Sequence, residues 1–389
     1  MSQERWRRGE SRDRLLIAAL AAVAEDGPGS VSGRKVAREA AVRHPQIQQM
    51  YGSVDDLVRA SVRAERDRFV AEVFGNNDEL PSPLVIASYP VFWQAITQVL
   101  LDPGPVDLGQ LADGGPVGVI ADRLRTRKPN RTEVLNTAIA TAWAAAPLGA
   151  LIFREPLQRG LGISDHDWAH CWDRLGARVS ELANLDNFSP VPPPQPVNRT
   201  PTAADAGTRG RERLLSAAQE LLATRLETSV TGRELAETAG VNYGLVNHYF
   251  GSKDAAFDEA LTSLHRRFLT DILDVGAPEL PGGAFSVFAA HRAFLRAWAS
   301  RLIRDAATPE FELLGMERLM DRLIEAREIT SRQKRRRLDA TGDAMASVSL
   351  QLGWTILRPL PAAVDAPALA GIEAALQAVH RQLLDDPSL

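Results

Sequence analysis

The sequence predicts an all-α protein built from two tandem helical repeats, each a three-helix head followed by a larger helical body, and three observations carry this. Apolar residues recur at three- and four-residue spacing, as in Leu214, Leu215, Ala218, Leu221 and Leu222. That is the period of a helix with one buried face, and no stretch alternates convincingly as a strand would. Shifting the sequence by 199 positions aligns residues 14–62 with 213–261 without a gap, and 16 of those 49 positions are identical. Self-similarity at a fixed period is what a duplicated unit leaves behind. Residues 190–201 carry six prolines, a composition that favours an extended, semi-rigid spacer between the copies.

Composition bounds the rest. The 389 residues are 45% apolar, enough for two or three domains with cores rather than for disorder. Lys plus Arg number 45 against 49 Asp plus Glu, a net charge of -4, so any nucleic-acid footprint has to be local. The single cysteine, Cys171, excludes an intrachain disulfide framework and a cysteine-based zinc cluster and suits a reducing cytosol. It is expected to be a packed thiol. Residues 1–10 are charged and lack the apolar run of a signal peptide, so a cytoplasmic location is expected. No nucleophile-and-base pair, metal-ligand spacing or glycine-rich phosphate loop stands out, so neither catalysis nor a cofactor is expected.

The first head spans residues 1–62 and the first body 63–188. Within that body, residues 134–153 run for twenty positions without a charge, the length of a membrane span. Their Ala and Thr content, Asn136 and a break at Pro147 point instead to a helix in a protein core, and no membrane is expected as a partner. The second copy agrees, because Leu148-Gly149 corresponds to Leu352-Gly353 in the amphipathic stretch 344–357. An Arg (Arg154, Arg358) and a Pro (Pro156, Pro359) follow in both copies. The linker covers 189–208, the second head 209–264 and the second body 265–389.

In the second head, Thr231-Gly232-Arg233-Glu234 is a capping box that starts a short helix through Thr238. Ala239-Gly240-Val241 then supplies a small residue, a glycine for the turn and an apolar anchor. Asn242 is suited to cap a second helix that runs about to Tyr249 and stops at Gly251. Ser252 caps a third helix with Ala256, Phe257, Ala260, Leu261 and Leu264 on one face. Two short helices joined by a glycine turn form the unit whose second member enters a major groove. The exposed residues on that member are expected to be Asn242, Tyr243, Asn247 and His248. Asn reads base edges by hydrogen bonding, and Tyr or His reaches phosphate or packs on thymine methyls. Lys253 is placed to neutralise phosphate, while Arg209, Arg211 and Arg213 form a basic arm for the backbone or a minor groove.

The run Gly240-Val241-Asn242-Tyr243-Gly244-Leu245-Val246-Asn247-His248-Tyr249-Phe250-Gly251-Ser252-Lys253-Asp254 closely resembles the recognition-helix signature of the tetracycline-repressor (TetR) family. Each repeat is also similar in length to a member of that family. The resemblance implies an all-helical fold, a three-helix DNA-binding head, a helical ligand-sensing body and action as a ligand-released repressor on double-stranded operator DNA. It further implies that Thr231, Tyr249 and Lys253 contact phosphates, with Asn242, Tyr243, Gly244 and His248 nearest the bases.

The first head departs from this pattern. In Ala41-Val42-Arg43-His44-Pro45-Gln46-Ile47-Gln48-Gln49-Met50-Tyr51-Gly52-Ser53-Val54-Asp55, Pro45 stands for the glycine, Met50 for the tyrosine and Val54 for the lysine. Proline is tolerated in the first turn of a helix, so the fold is expected to survive. Losing one phosphate charge lowers the salt slope of binding by about one unit. Arg43 and an arm of Arg5, Arg7, Arg8 and Arg12 offer replacement charge, and Gln46, Gln48 and Gln49 carry the groups that read adenine. Specific DNA contact by this head stays open on sequence.

The bodies are less legible. Apolar and aromatic residues line sensing pockets of this kind, which nominates Phe92, Trp93 and Trp143 in the first body. Phe288, His291, Phe294, Trp298 and Trp354 are their counterparts in the second, and the lack of charge among all of these points to a small apolar effector. Lys334-Arg335-Arg336-Arg337 reads as a solvated helix face or loop. Two unlike heads on one chain suggest an intrachain pseudo-dimer, with helices near 134–153 and 168–185 against 343–357 and 366–385, that reads an asymmetric operator. A homodimer using only the second heads is the competing assembly. An effector-binding or protein-interaction scaffold that has lost DNA binding is the competing function.

Overall fold

The computed structural model of the chain describes residues 2–75, 78–187, 209–274, 280–304, 337–364 and 368–384, with 318, 320–322 and 324. For 2–8, 209, 280–284, 362–364 and 384 it describes the backbone alone. The proline-rich segment and Lys334-Arg335-Arg336 lie outside the described residues. Those described are helical with short connections and form no strand.

The first half begins with α1 (Ser2–Asp26), α2 (Gly33–Glu39), α3 (Pro45–Tyr51) and α4 (Val54–Phe74). Its body continues through α5 (Pro90–Leu101), α6 (Leu108–Ala112), α7 (Pro116–Arg127), α8 (Glu133–Ile152), α9 (Arg154–Leu161) and α10 (Asp165–Glu181). The second half begins with α11 (Arg209–Thr224), α12 (Gly232–Thr238), α13 (Gly244–Phe250) and α14 (Lys253–Asp274). Then come α15 (Leu280–Ala290), α16 (Arg292–Ile303), α17 (Arg337–Leu357), α18 (Pro359–Val364) and α19 (Leu369–Leu384). The caps explain the starts: Ser32, Ser53, Thr132, Ser164, Thr231 and Ser252 each accept a hydrogen bond from a backbone N–H of the first helical turn. Helices α12, α13 and α14 begin 199 positions after α2, α3 and α4, and α19 begins 204 after α10.

Helices α8 and α17 form the core. Every residue of α17 from Ala340 to Leu357 is buried, as expected of a helix surrounded by others rather than lying on a surface. Helix α8 is long and apolar enough to cross a membrane, yet 83% of its most apolar window is buried inside the protein. Pro147 lies within α8 and does not break it, contrary to the reading from sequence. One lost backbone bond costs less than exposing the buried faces on either side of it.

The two halves meet through reciprocal contacts. A Cβ built on Gly149 of α8 would overlap the Ser349 carbonyl oxygen, and one built on Gly353 of α17 would overlap the Ala145 carbonyl oxygen. A 204-residue shift exchanges the two relations, taking Gly149 to Gly353 and Ala145 to Ser349. Gln94 Nε2 of α5 donates to the Ile303 carbonyl of α16 at 3.1 Å, and Arg296 of α16 donates to the Leu101 carbonyl of α5, each pair 202 positions from its mate. Around this centre Arg174 grips Asp343 at 2.7 and 3.2 Å, with Arg178 3.4 Å from the same carboxylate. Arg178 also donates to the Gln382 and Leu383 carbonyls of α19.

Candidate nucleic-acid interface

The second head assembles its exposed helix from local devices. The Thr231 backbone N–H donates to Glu234 Oε2 at 2.7 Å, and the Glu234 N–H donates to Thr231 Oγ1 at 3.2 Å, closing the capping box of α12. The Thr231 backbone bond, then Arg225 at 2.9 Å, hold the Glu234 carboxyl down at about 2. Gly240 turns the chain at φ 61, in the left-handed region glycine adopts without steric cost. Arg213 donates to the Gly240 carbonyl at 2.9 Å and fastens that turn to α11. Asn242 Oδ1 accepts from the Gly244 N–H at 2.8 Å, setting the entry to α13.

Along α13 the pattern of burial selects one face. Val246 is buried and Leu245 half-buried, which fixes the helix on the head's core. Asn242, Gly244, Asn247 and His248 are exposed, and Tyr243 is 45% exposed although it is large and aromatic. Together they form a ridge of hydrogen-bonding groups and two rings, at the entry to and along a helix that would fit a major groove.

Residues 214–260 match the family model of bacterial regulatory proteins, tetR family. The second head is a TetR-family domain. Such a domain makes the chain a DNA-binding transcriptional regulator with a helix-turn-helix. No curated protein matches the chain.

Several of the sequence-selected residues in this TetR-family domain carry structural duties too. Lys253 donates to the carbonyls of Glu227 and Val230 at 3.2 and 3.0 Å, so its ammonium ties the start of α14 to the turn Glu227–Ser229. The Thr231 hydroxyl is engaged with Glu234. Tyr249 is half-buried with its ring against the backbone at Gly210, edge-on to His248 at 4.9 Å. Arg211 pairs with Glu259 and lies 5.1 Å over the Phe250 ring, so its charge is already compensated. The side chains of Arg209, Arg5, Arg7 and Arg8 lie outside the described residues.

The first head keeps the layout with different chemistry. Arg12 sits 5.5 Å over Tyr51 as Arg211 does over Phe250. Lys35 pairs with Asp26 at 2.8 Å where the second head pairs Glu234 with Arg225, the same two positions with the charges exchanged. Arg43, Gln48 and Gln49 are exposed, whereas the Gln46 amide oxygen accepts from the Arg43 N–H at 2.8 Å. Val54 contributes an apolar side chain beside Gly33 where Lys253 contributes a charge.

Ala41 occupies the position of Gly240 and takes φ 53. A non-glycine residue there costs about 1 kcal/mol. Ala41→Gly is therefore expected to raise the denaturant midpoint of the first half by about 1 kcal/mol equivalent, with Gly240→Ala moving the second half the other way.

Sequence reasoning missed the clasp between second head and second body. Arg301, on the last turn of α16, holds Glu227 at 2.8 Å and Asp258 at 2.6 Å. No motif announces it, because its three members come from a body helix, a turn and α14. Nor did the sequence reveal the buried pair of Ser347 Oγ and His380 Nε2 at 2.6 Å, joined by Gln351 at 2.8 Å. Both residues are fully buried, so this trio pins α17 to α19 and presents no surface to a substrate. Cys171 is buried, and that burial pushes its thiol up to about 12, which keeps it protonated and unreactive.

Of the eight pocket candidates, Phe92 and Trp93 line a cavity of about 700 Å³ walled by residues of both halves, Leu360 and Ile372 among them. Trp143 donates to the Pro81 carbonyl at 3.2 Å outside that lining. Phe288, Phe294 and His291 gather around Phe268, and Trp298 stacks on Phe294, so these four are packed against one another. Trp354 is buried within α17.

Proposed function

We propose that the chain is a ligand-responsive repressor that reads operator DNA through its second head, with the first head seated on the same duplex beside it. The observation that carries this is the exposed ridge of Asn242 and Tyr243 at the entry to α13 and Asn247 and His248 along it, on a head whose capping box, glycine turn and core are in place. Asn247 and His248 face outward together and are the base-reading pair. Asn242, Tyr243 and Gly244 border the bases, with Thr231, Tyr249 and Lys253 toward phosphate. In the first head, Arg43, Gln48 and Gln49 are the outward groups.

The division into head 1–62, body 63–188, linker 189–208, head 209–264 and body 265–389 describes a duplicated unit. In a two-fold dimer, residue i of one subunit meets j of the other while j meets i. The contacts of Gly149 with Ser349 and of Gly353 with Ala145, and of Gln94 with Ile303 and of Arg296 with Leu101, have that form within one chain. They support an intrachain pseudo-dimer, and hence an operator without a palindrome. The linker, at about 3.1 Å per residue, reaches on the order of 60 Å, enough to join the two units.

Selecting sites from random DNA, with light scattering on the same preparation, tests the proposal. The expected result is an asymmetric site and a mass near 42.4 kDa. A palindromic site with twice that mass would favour a homodimer of second heads, and no salt-sensitive binding at low salt would favour a scaffold. Asn247→Ala with His248→Ala is expected to weaken specific binding by about 30-fold or more, two base contacts at roughly 1–3 kcal/mol each. Gln48→Ala with Gln49→Ala is expected to do less.

A further inference from the structure

The two heads carry opposite charge. Residues 1–62 hold ten Lys and Arg against eight Asp and Glu, a net charge of +2, whereas residues 209–264 hold six against eight, a net charge of -2. The contrast sharpens over the helix-turn-helix itself. Residues 32–52 contain Arg34, Lys35, Arg38 and Arg43 with Glu39 as the one acid, while the counterpart 231–251 contains Arg233 with Glu234 and Glu237. At the 199-residue offset Glu237 takes the place of Arg38, and Asn242 that of Arg43. The head with the intact motif is the acidic one, and a polyanion is drawn to the other.

The use each head makes of its charges widens the difference. In the second head Arg211 pairs with Glu259 and Arg225 with Glu234, Arg213 donates to the Gly240 carbonyl, and Lys253 donates to the Glu227 and Val230 carbonyls. Among the described cations of that head, Arg233 is the one left exposed with neither kind of partner. In the first head Glu25 and Asp26 hold Lys35 at 2.7 and 2.8 Å, and Asp56 holds Arg59. Arg34, Arg38 and Arg43 are exposed and meet no carboxylate or carbonyl among the described residues. They outnumber the one motif charge lost at Val54.

The three arginines start from one small region of the surface. Arg34 and Arg38 lie four residues apart on α2, on the same side of the helix. A Cβ built on Gly33 would stand 3.0 Å from His44 Nε2, and Arg34 and Arg43 are the chain neighbours of that touching pair. The helix gains nothing from Arg34, which stands in its first turn, where the dipole opposes a cation, with a like charge one turn on.

We propose that the two heads divide the work of binding. The first is an electrostatic anchor whose Arg34, Arg38 and Arg43 neutralise backbone phosphates, and the second supplies the base contacts that choose the site. Salt dependence then enters mainly through the half with the degenerate motif, and sequence preference through the half with the intact one. The inference rests on the reading that both heads sit on one duplex.

The test titrates the full chain with its selected operator and with a scrambled duplex of the same length, over a series of salt concentrations. Each neutralised phosphate contributes about 0.9 to the slope of log affinity against log salt. Arg34→Ala with Arg38→Ala and Arg43→Ala is expected to lower that slope by about 2 to 3 units and to weaken both duplexes alike. Lys at the same three positions should keep the slope, and because all three are exposed the fold stands in either variant. Arg233→Ala should lower the slope by about one unit. Asn247→Ala with His248→Ala should instead weaken the operator selectively and leave the slope within about half a unit of wild type. A triple Ala variant whose slope stays within about half a unit of wild type overturns the anchor. A loss confined to the operator overturns it too, because these arginines would then be reading bases. Should the wild-type chain bind neither duplex at low salt, the DNA reading falls and the division of work with it, whereas binding with an unmoved slope removes the division alone.

Discussion

Gly353→Ala is expected to destabilise the protein by about 3 kcal/mol or more, the upper end of the usual cost of overpacking a core. The added Cβ would overlap the Ala145 carbonyl oxygen and stand 2.9 Å from the Ala145 Cα. Those are backbone atoms of α8, so no side-chain rotation relieves the clash, and α8 and α17 have to move apart. Gly149→Ala repeats the insult from the other side, against Ser349 and the Gly353 nitrogen at 2.7 Å. Once one substitution has opened the contact, the second finds it open, so the double variant should lose less than the sum of the two singles. Gly118→Ala is the control, because a Cβ there meets nothing within 4 Å. Chemical denaturation of the four proteins measures all of this. A Gly353→Ala protein within about 0.5 kcal/mol of wild type would mean that the halves do not meet along these helices.

Asp343→Ala is expected to cost about 3–5 kcal/mol, the usual effect of removing one member of a buried ion pair. Asp343 is fully buried on α17, and its carboxylate answers Arg174 and Arg178, both on α10. Without it, Arg178, itself 3% exposed, keeps Glu181 and the α19 carbonyls but loses its fully buried partner. Arg174 is less buried and can turn to water, which limits the loss. Replacing all three by apolar residues of similar volume should recover much of the stability, since the pair offsets its own desolvation rather than adding a large net gain. Asp343 joins elements of opposite halves, so the same variant should loosen the pairing of the two bodies. Hydrogen exchange across α10 and α17 would register that as loss of protection in both helices together. Exchange confined to one of them would show that the pair does not couple the halves.

The helices of the second head were legible because each is set by interactions a few residues long. The capping box at Thr231 and Glu234, the glycine turn at Gly240 and the apolar spacing of Val246, Ala256, Phe257 and Leu261 act within one or two turns, and each left its mark in residue type. The exposed ridge on α13 followed from the same periodicity. What the periodicity did not reveal is how much of that surface is already in use: Lys253 and Arg211 have partners within the head that lie distant in sequence, the carbonyls of Glu227 and Val230 and the carboxylate of Glu259.

The sequence by itself determined that the chain is helical throughout its described residues, where the second helix-turn-helix starts and stops, and that residues 14–62 and 213–261 share one pattern. These depend on backbone preference and on the three- to four-residue period, both short-range. Only the tertiary structure decided that α8 passes uninterrupted through Pro147, that Gly149 and Gly353 let two backbones touch, that Arg301 clasps Glu227, and that open space remains beside Trp93 while the Phe294 region is filled. Each of these depends on which surfaces meet after residues some two hundred positions apart come together. Contact of that range is governed by shape and by burial of charge, neither of which is written in the order of neighbouring residues.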